Sequence, residues 1–410
     1  MNILIVNAFC KGGGAEKVAR QLYDGLNNYS HINCFFLAGR ESGKTQDKDV
    51  IYHRRSIPQA VNHICCYIKN GQRERDWYTT KKIISMIRQE KIDIIHFHNI
   101  HGGYIGIKDI GEISKYCKIV WTLHDMWAIT GHCAYSCQCN EWIEDSCRHC
   151  SNLELYPAIY TDKTERIYAM KRNIFTNKNI HFVVPSKWLM KQCERSFLSR
   201  EIKILIHNGV NTDSFYPINK EILRKKYNMS QDKLILMFVA NNIGSIYKGA
   251  DILENALHRI KNKKEYEFII VGNVENNSLS RDYICHYMGY IQSDEKMNEL
   301  YNLADVFIIS SRAENFPCTV IESMAAGTPV IASDVGGIAE QIDGNTGWLF
   351  EMENVEQLAE IIDGLIDEKE KLQAMGINCR KRVEENFSEE KMLKTYQKLY
   401  ADIMSGIYRI

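Results

Sequence analysis

The sequence predicts an α/β protein made of two doubly wound, Rossmann-like parallel-sheet domains in tandem. Three observations carry this. Short apolar runs alternate with helical periodicities along most of the chain. Those runs are continuous rather than alternating, as strands buried on both faces are. A length of 410 residues suits two or three domains at about 150 residues each. In the first half the runs are Ile3–Val6, Cys34–Leu37, Ile92–Phe97, Ile119–Leu123 and His181–Val184. In the second they are Leu234–Val239, Glu267–Val271, Val306–Ile309 and Pro329–Ala332. Strands separated by helices of about 10–15 residues form βαβ units. Between the two series, residues 206–219 gather Asn, Gly, Asp and Pro, which places the boundary there and divides 1–205 from 206–388. From Ser388 to about Ile407, the residues Met392, Thr395, Tyr396, Leu399 and Ile403 share one helical face. Residues 389–410 are therefore expected to form a helix that packs back on the first domain.

Composition narrows the class. An apolar share of 45% and a charged share of 25% exclude disordered, collagen-like and coiled-coil chains. No apolar run approaches the roughly 18 residues of a membrane span. The opening MNILIVNAF lacks a basic region and a small-residue cleavage site, so it reads as a first strand and the expected compartment is the cytoplasm. There, 14 Cys argue for free thiols and a metal site rather than a disulfide framework. The 51 Lys+Arg and 51 Asp+Glu balance overall, but residues 1–205 hold 29 and 20 while residues 206–410 hold 22 and 31. The basic half suits an anionic partner; two surfaces of different composition explain it equally well.

Sites in doubly wound folds lie outside the carboxyl ends of the strands, and two such domains facing each other create a cleft there. The loops after strands are therefore the informative ones. Cys10-Lys11-Gly12-Gly13-Gly14-Ala15-Glu16 follows the first strand and enters a helix. Its glycines allow a sharp turn and close approach of a ligand to free helix amides, or simply a tight turn. It is neither the G-x-G-x-x-G fingerprint nor a phosphate loop. The stretch Ser311 to Ser323 follows Val306–Ile309. Pro317 suits the first position of a helix running to about Ala326, whose first amides at Cys318, Thr319 and Val320 suit an anion. Glu314 lies before that helix and Glu322 inside it. This arrangement suits a phosphate between two hydroxyl-bearing sugars, or an ordinary helix with acidic surface residues.

Glu314 and Glu322, with seven residues between them, resemble the E-x7-E motif of retaining glycosyltransferases of the GT-B fold. The chain resembles glycosyltransferase family 4, the group 1 glycosyltransferases, over nearly its whole length. The matching segments are Gly13–Ala19, Thr122–Asp125, Val184–Leu189, His207–Phe215, Tyr247–Leu253, Glu314–Ser333, Gly336-Gly337 and Gly347–Phe350. The resemblance implies that Glu322 holds the ribose hydroxyls and Glu314 a hydroxyl of the donor sugar. It places the amides of Asn315, Phe316, Pro317, Cys318 and Thr319 around sugar hydroxyls and the distal phosphate (Pro317 itself contributing no N–H). It pairs Lys248 with the diphosphate, sets His124 by the anomeric centre, and lets Gly13 and Gly14 line the acceptor side. The family usually carries an Arg shortly before the Lys; here the stretch reads Ala240-Asn241-Asn242-Ile243, which leaves Lys248 alone or with another cation such as Arg312. The implied reaction is a retaining, front-face transfer from a UDP- or GDP-sugar, with no metal or other cofactor in catalysis. The implied acceptor is a saccharide on a polyprenyl diphosphate at the inner membrane surface, in capsule, O-antigen or exopolysaccharide assembly. Asp47-Lys48-Asp49 reads as D-x-D in a polar loop and is taken as a solvated turn.

His132 opens a second cluster, HCAYSCQCNEWIEDSCRHC. Five thiols ending in C-x2-C suit a tetrahedral structural Zn²⁺. The cluster resembles an insertion in colanic-acid and polysaccharide-assembly transferases, which selects Cys133, Cys139, Cys147 and Cys150, with Cys137, His132 and His149 as alternates. Residues 69–91, with Trp77, Tyr78, Ile83, Ile84 and Ile87, and residues 162–203 are basic enough for peripheral membrane contact or for a solvated face. Two rivals are weighed: a nucleotide-sugar 2-epimerase on the same fold, which needs no acceptor, and a zinc-containing binding module. No nucleic-acid partner is expected, because no such motif is present and the net charge is zero.

Overall fold

The computed structural model describes residues 1–40, 49–52, 72–176, 179–242, 245–273 and 282–408. The chain divides into two compact units: Met1–His207 together with Leu393–Ile410, and Asn208–Met392. Each unit is built on one parallel sheet.

In the first unit the strands are β1 (Asn2–Asn7), β2 (Asn33–Ala38), β3 (Val50–Tyr52), β4 (Ile94–Phe97), β5 (Lys118–Thr122), β6 (Ile180–Val184) and β7 (Lys203–Leu205). Their order across the sheet is β3-β2-β1-β4-β5-β6-β7. The second unit has β8 (Leu234–Asn242), β9 (Tyr266–Asn273), β10 (Ile284–Gly289), β11 (Val306–Ile309), β12 (Val330–Ser333) and β13 (Gly347–Phe350), ordered β10-β9-β8-β11-β12-β13. Every named pairing is parallel. Helices cover both faces, so Ile3–Val6 in β1 and Val306–Ile308 in β11 are fully buried. In each unit the winding reverses at one place, between β1 and β4 and between β8 and β11. Those two points are where a doubly wound sheet opens a crevice at its carboxyl edge.

All nine apolar runs coincide with strands, three of them overhanging: Ile92 and Asp93 precede β4, Leu123 follows β5 and Pro329 precedes β12. Four strands went unpredicted, and all four are sheet edges: β3, β7, β10 and β13. The last helix is Glu389–Ser405. From Leu393 onward it belongs to the first unit, where Tyr396, Leu399, Tyr400 and Ile403 are buried. Thr395, expected on the same face, is exposed; Tyr400 takes the inward position instead. A Cβ on Gly25 would overlap the Leu393 side chain, so a glycine there lets this helix sit close. The Ser311–Ser323 helix runs Cys318–Ala325, with Pro317 as its N-cap at ψ 126° rather than its first helical residue. Asp47 and Lys48 of the D-x-D, and residues 69–71 of the basic stretch, lie outside the described residues.

Candidate functional site

In the second unit the loops after β8 and β11 flank the winding reversal, and they are tied to each other. Ser310 Oγ donates to the Gly249 carbonyl at 2.7 Å, and the Arg312 amide donates to the Tyr247 carbonyl at 2.8 Å. Gly249 has φ +61°, and a Cβ there would collide with the Ser310 carbonyl, so only glycine lets the two loops dock. This docking brings Lys248 to Glu314: Nζ lies 2.7 Å from Oε1, which also accepts from Ser311 Oγ at 3.0 Å. Glu314 is 8% exposed, so its carboxylate is held at the mouth of a largely buried loop. Arg312, the alternative cation, is committed elsewhere. It makes a two-point contact with Asp251 at 2.8 and 2.6 Å and pairs with Glu353 as well, which pushes its pKa above the usual range. Lys248 is therefore the better-placed cation of the two.

The loop Asn315–Pro317 is fixed by its carbonyls. Asn315 O accepts from the Gly337 amide at 2.8 Å, Phe316 O from Asn208 Nδ2 at 3.0 Å, and Pro317 O from Gln341 Nε2 at 3.0 Å. Gly336, at φ +61°, passes so close to the Glu314 carbonyl that a Cβ would land on it. Pro317, the N-cap of the Cys318–Ala325 helix, offers no side-chain cap, and the positive end of the helix faces the same loop. Glu322 is 5% exposed in the second turn and accepts from the buried Tyr301 hydroxyl at 3.2 Å. Burial and Glu322 together push the Tyr301 phenol well above its ordinary pKa, so it remains a donor. Glu314, Lys248, Asn315, Phe316, Pro317, Cys318, Thr319 and Glu322 thus gather at one edge of this unit.

In the first unit, Gly13 is the N-cap of the Gly14–Leu26 helix after β1. The Glu16 carboxylate folds back over this turn, and backbone amides at Gly13 and Glu16 favour its charged form. Burial outweighs them and raises the Glu16 pKa. His124 follows β5. Its Nε2 lies 2.9 Å from Nδ1 of His98, which follows β4, and the rings stack at 5.2 Å. Burial lowers His124 to about 4, Asp125 opposing and His101 adding to the shift. His101 Nε2 meets Asp125 Oδ2 at 2.9 Å; burial raises the Asp125 pKa, but His101 brings it below the usual value. Sequence reasoning missed His98, His101 and a small pocket beside them lined by Gln72, Arg73, Gly103 and Trp127. Gln72 Nε2 and Oε1, His101 Nδ1 and Trp127 Nε1 are buried there without a partner among the described residues. The signal available was two histidines at i and i+2 at the end of a buried strand, Ile-Ile-His-Phe-His.

The cysteine-rich stretch lies between β5 and β6. Cys133, Cys137, Cys139, Cys147 and Cys150 are free thiols. Burial raises Cys133 to about 12 and Cys147 to about 11, and Cys133, Cys139, Cys147 and Cys150 are near enough to act on one another. The Gly131 amide donates to Cys147 Sγ at 3.2 Å, and His132 Nε2 lies 3.4 Å from Cys150 Sγ. Among the described residues, no group of three or more His, Cys, Asp or Glu is placed to hold a metal ion. The donor chemistry suits zinc, while the spacing seen here does not assemble a ligand set.

Two family models match the chain. Residues 12–214 match Glycosyltransferase Family 4, and residues 219–382 match Glycosyl transferases group 1. The chain belongs to this glycosyltransferase family. Among curated relatives it is similar to the "Putative colanic acid biosynthesis glycosyl transferase WcaC" of Escherichia coli, 25% identical over 88% of this chain and 90% of the relative. Among solved structures it is similar to sucrose-phosphate synthase of Thermosynechococcus elongatus, with a TM-score of 0.75, 18% identity and 99% and 100% of the two chains covered. HepE of Anabaena, solved with UDP-glucose, aligns with a TM-score of 0.65 and 16% identity over 99% and 100% of the chains. These likenesses establish the GT-B fold.

Proposed function

We propose that this glycosyltransferase moves a sugar from a nucleotide-sugar donor to a saccharide acceptor with retention of anomeric configuration, in the assembly of a bacterial surface polysaccharide. The observation that carries the reading is the edge of the second unit where Lys248, Glu314, Glu322 and the positive end of the Cys318–Ala325 helix converge. A nucleoside diphosphate sugar has the matching parts. Glu322 takes the ribose hydroxyls, the helix amides and Lys248 take the diphosphate, and Glu314 takes a hydroxyl of the transferred sugar. The Lys248–Glu314 pair must then part, the ammonium turning to the phosphates as the carboxylate turns to the sugar. A fixed cation and helix dipole stabilise charge on the departing nucleotide, and that phosphate draws the proton from the incoming hydroxyl. We assign His124 to the reacting sugar and Gly13 and Gly14 to the acceptor. HepE, with UDP-glucose, and WcaC, named for colanic acid, support the donor class and the pathway class respectively.

Thermal-shift titration against UDP- and GDP-sugars tests the donor. Glu322→Ala should abolish turnover and leave the melting profile intact; full activity in that variant removes the site assignment. We also propose that the acceptor is lipid-linked and that the protein meets a membrane peripherally. Trp77 and Tyr78 are 58% and 53% exposed beside Arg75, whose guanidinium lies 4.2 Å from the Trp77 ring. No helix among the described residues is long and apolar enough to cross a membrane. Sedimentation with vesicles containing anionic lipid should bring the protein down, and Trp77→Ala with Tyr78→Ala should leave it in solution; equal sedimentation discards the contact. Cys133, Cys139, Cys147 and Cys150, whose donor chemistry suits the ion though their present spacing does not enclose it, are proposed to draw together around a structural zinc. Purified protein should contain about one equivalent of zinc that Cys147→Ser loses; a metal-free, fully folded wild type rejects it.

A further inference from the structure

Beside His124 the first unit holds a column of imidazoles in ring-to-ring contact. His98 is 1% exposed and lies tilted against His96 with ring centroids 4.3 Å apart, and His96 is fully buried. Both His96 nitrogens are engaged: Nδ1 lies 2.7 Å from the Tyr400 hydroxyl and Nε2 lies 2.7 Å from Thr122 Oγ1. Thr122 Oγ1 in turn meets the Tyr396 hydroxyl at 2.8 Å. Trp121 Nε1 donates to the His98 carbonyl at 3.0 Å, which holds that residue's backbone. The His98 ring is wedged in one orientation, with Nδ1 on His124 Nε2.

The proton between those two nitrogens has two possible owners. If His124 Nε2 carried it, His98 would keep its own proton on Nε2, an atom buried without a hydrogen-bond partner among the described residues. An orphaned buried N–H is rare and costs its full desolvation. If His98 Nδ1 carries it, Nε2 is a bare lone pair, the lesser loss, and His124 Nε2 is the acceptor. His124 must then bear its own proton on Nδ1.

We propose that His98 is a positioning residue that locks His124 as the neutral Nδ1–H tautomer, so that His124 gives a hydrogen bond to the reacting sugar and takes no proton from it. The role toward the sugar rests on the assignment of His124 made above; the tautomer lock does not. Burial and the neighbouring imidazoles favour a neutral ring, with Asp125 opposing: among the described residues His96, His98, His101 and Asp125 interact with it. Burial holds His96 near 3 and His98 well below its ordinary value. A ring tied at Nε2 to a donor is a poor general base, which fits a reaction whose departing phosphate removes the acceptor proton.

Two-bond ¹H–¹⁵N correlation on ¹⁵N-histidine-labelled full-length protein reads each ring nitrogen directly. The lock requires a protonated Nδ1 and a bare Nε2 on His124, unchanged from pH 6 to 8. A protonated His124 Nε2 overturns the proposal. Two variants sharpen it. His98→Phe keeps a flat ring in the stack but removes the donor; His124 should leave the Nδ1–H form and titrate closer to the ordinary range near 6.5. His98→Asn sets an amide N–H where Nδ1–H stood, and should preserve the wild-type signature. An unchanged His124 signature in folded His98→Phe also overturns the lock. Transfer from the nucleotide sugar should fall about 10–100-fold in His98→Phe and recover in His98→Asn. If the signature moves and transfer does not, the lock stands and the assignment of His124 to the sugar falls. Should His98→Phe fail to fold, the wild-type spectrum and the Asn variant still decide.

Discussion

Gly336→Ala is the sharpest test of how the second unit holds its carboxylate. Gly336 sits at φ +61° against the Glu314 carbonyl, and its successor Gly337 donates to Asn315 O. A methyl group there has two costs. The left-handed backbone costs an L-residue about 1–2 kcal/mol. The overlap with the Glu314 carbonyl cannot be relieved by a rotamer, because both atoms belong to backbone; the Glu314 loop must retreat by roughly 1 Å or more. A displacement of that size at a positioned group costs about 100-fold in rate. The overlap also adds strain, so a total of about 2–3 kcal/mol is expected, or a fall of roughly 5–10 °C in melting temperature for a unit of this size. The assay is steady-state turnover of whichever nucleotide sugar the wild type accepts, run beside a thermal melt. The expected pattern is a fall of about two decades in kcat/KM in a protein that still melts cooperatively. Wild-type kinetics would refute the claim that this glycine places Glu314. Collapse of the melt would show instead that it serves the whole unit.

Three further outcomes follow from the geometry. Tyr301→Phe removes a hydroxyl donor to Glu322, worth about 1.5–3 kcal/mol for a charged acceptor, and should weaken nucleotide binding by calorimetry about tenfold or more. Lys248→Ala should depress kcat more than it raises KM, since a cation facing the departing phosphates matters most at the transition state; an effect confined to KM would argue for ground-state binding alone. Asp305 is paired with Lys220 at 2.8 Å and Arg224 at 2.6 Å; burial raises its pKa, but those two cations bring it below the usual value. A carboxylate with a depressed folded pKa stabilises the fold above its unfolded value near 3.9 and loses that as pH falls through the folded one. Asp305→Asn should therefore cost about 3 kcal/mol in urea melts at pH 7, with the gap to wild type closing below about pH 4.

The central strands were legible because burial on both faces forces an unbroken apolar run, as in Ile3–Val6. The edges were not, because one side meets water: β10 alternates exposed and half-buried residues, and β7 is half-buried throughout. At the site, Glu314 and Glu322 could be read because nine consecutive residues carry the pair. Tyr301 and Gly336 could not be tied to them, since their contacts arise only when the sheet brings separate loops together. The same holds for His98 and His124, 26 residues apart in sequence and in contact only because β4 and β5 are neighbours. The pairing of Arg312 with Asp251 and Glu353, which removes it as a free cation, was equally invisible.

The helix that walls off the imidazole column comes from a stretch of chain far beyond the strands it covers. Tyr396 and Tyr400 reach strands synthesised almost three hundred residues earlier. During translation the first unit therefore waits with an apolar groove and a polar His96 uncovered. A chain stopped at residue 388 would carry every loop named above yet leave that groove unsealed. The first unit thus closes only after the intervening second unit has been made, so the competence of one is coupled in time to the synthesis of the other.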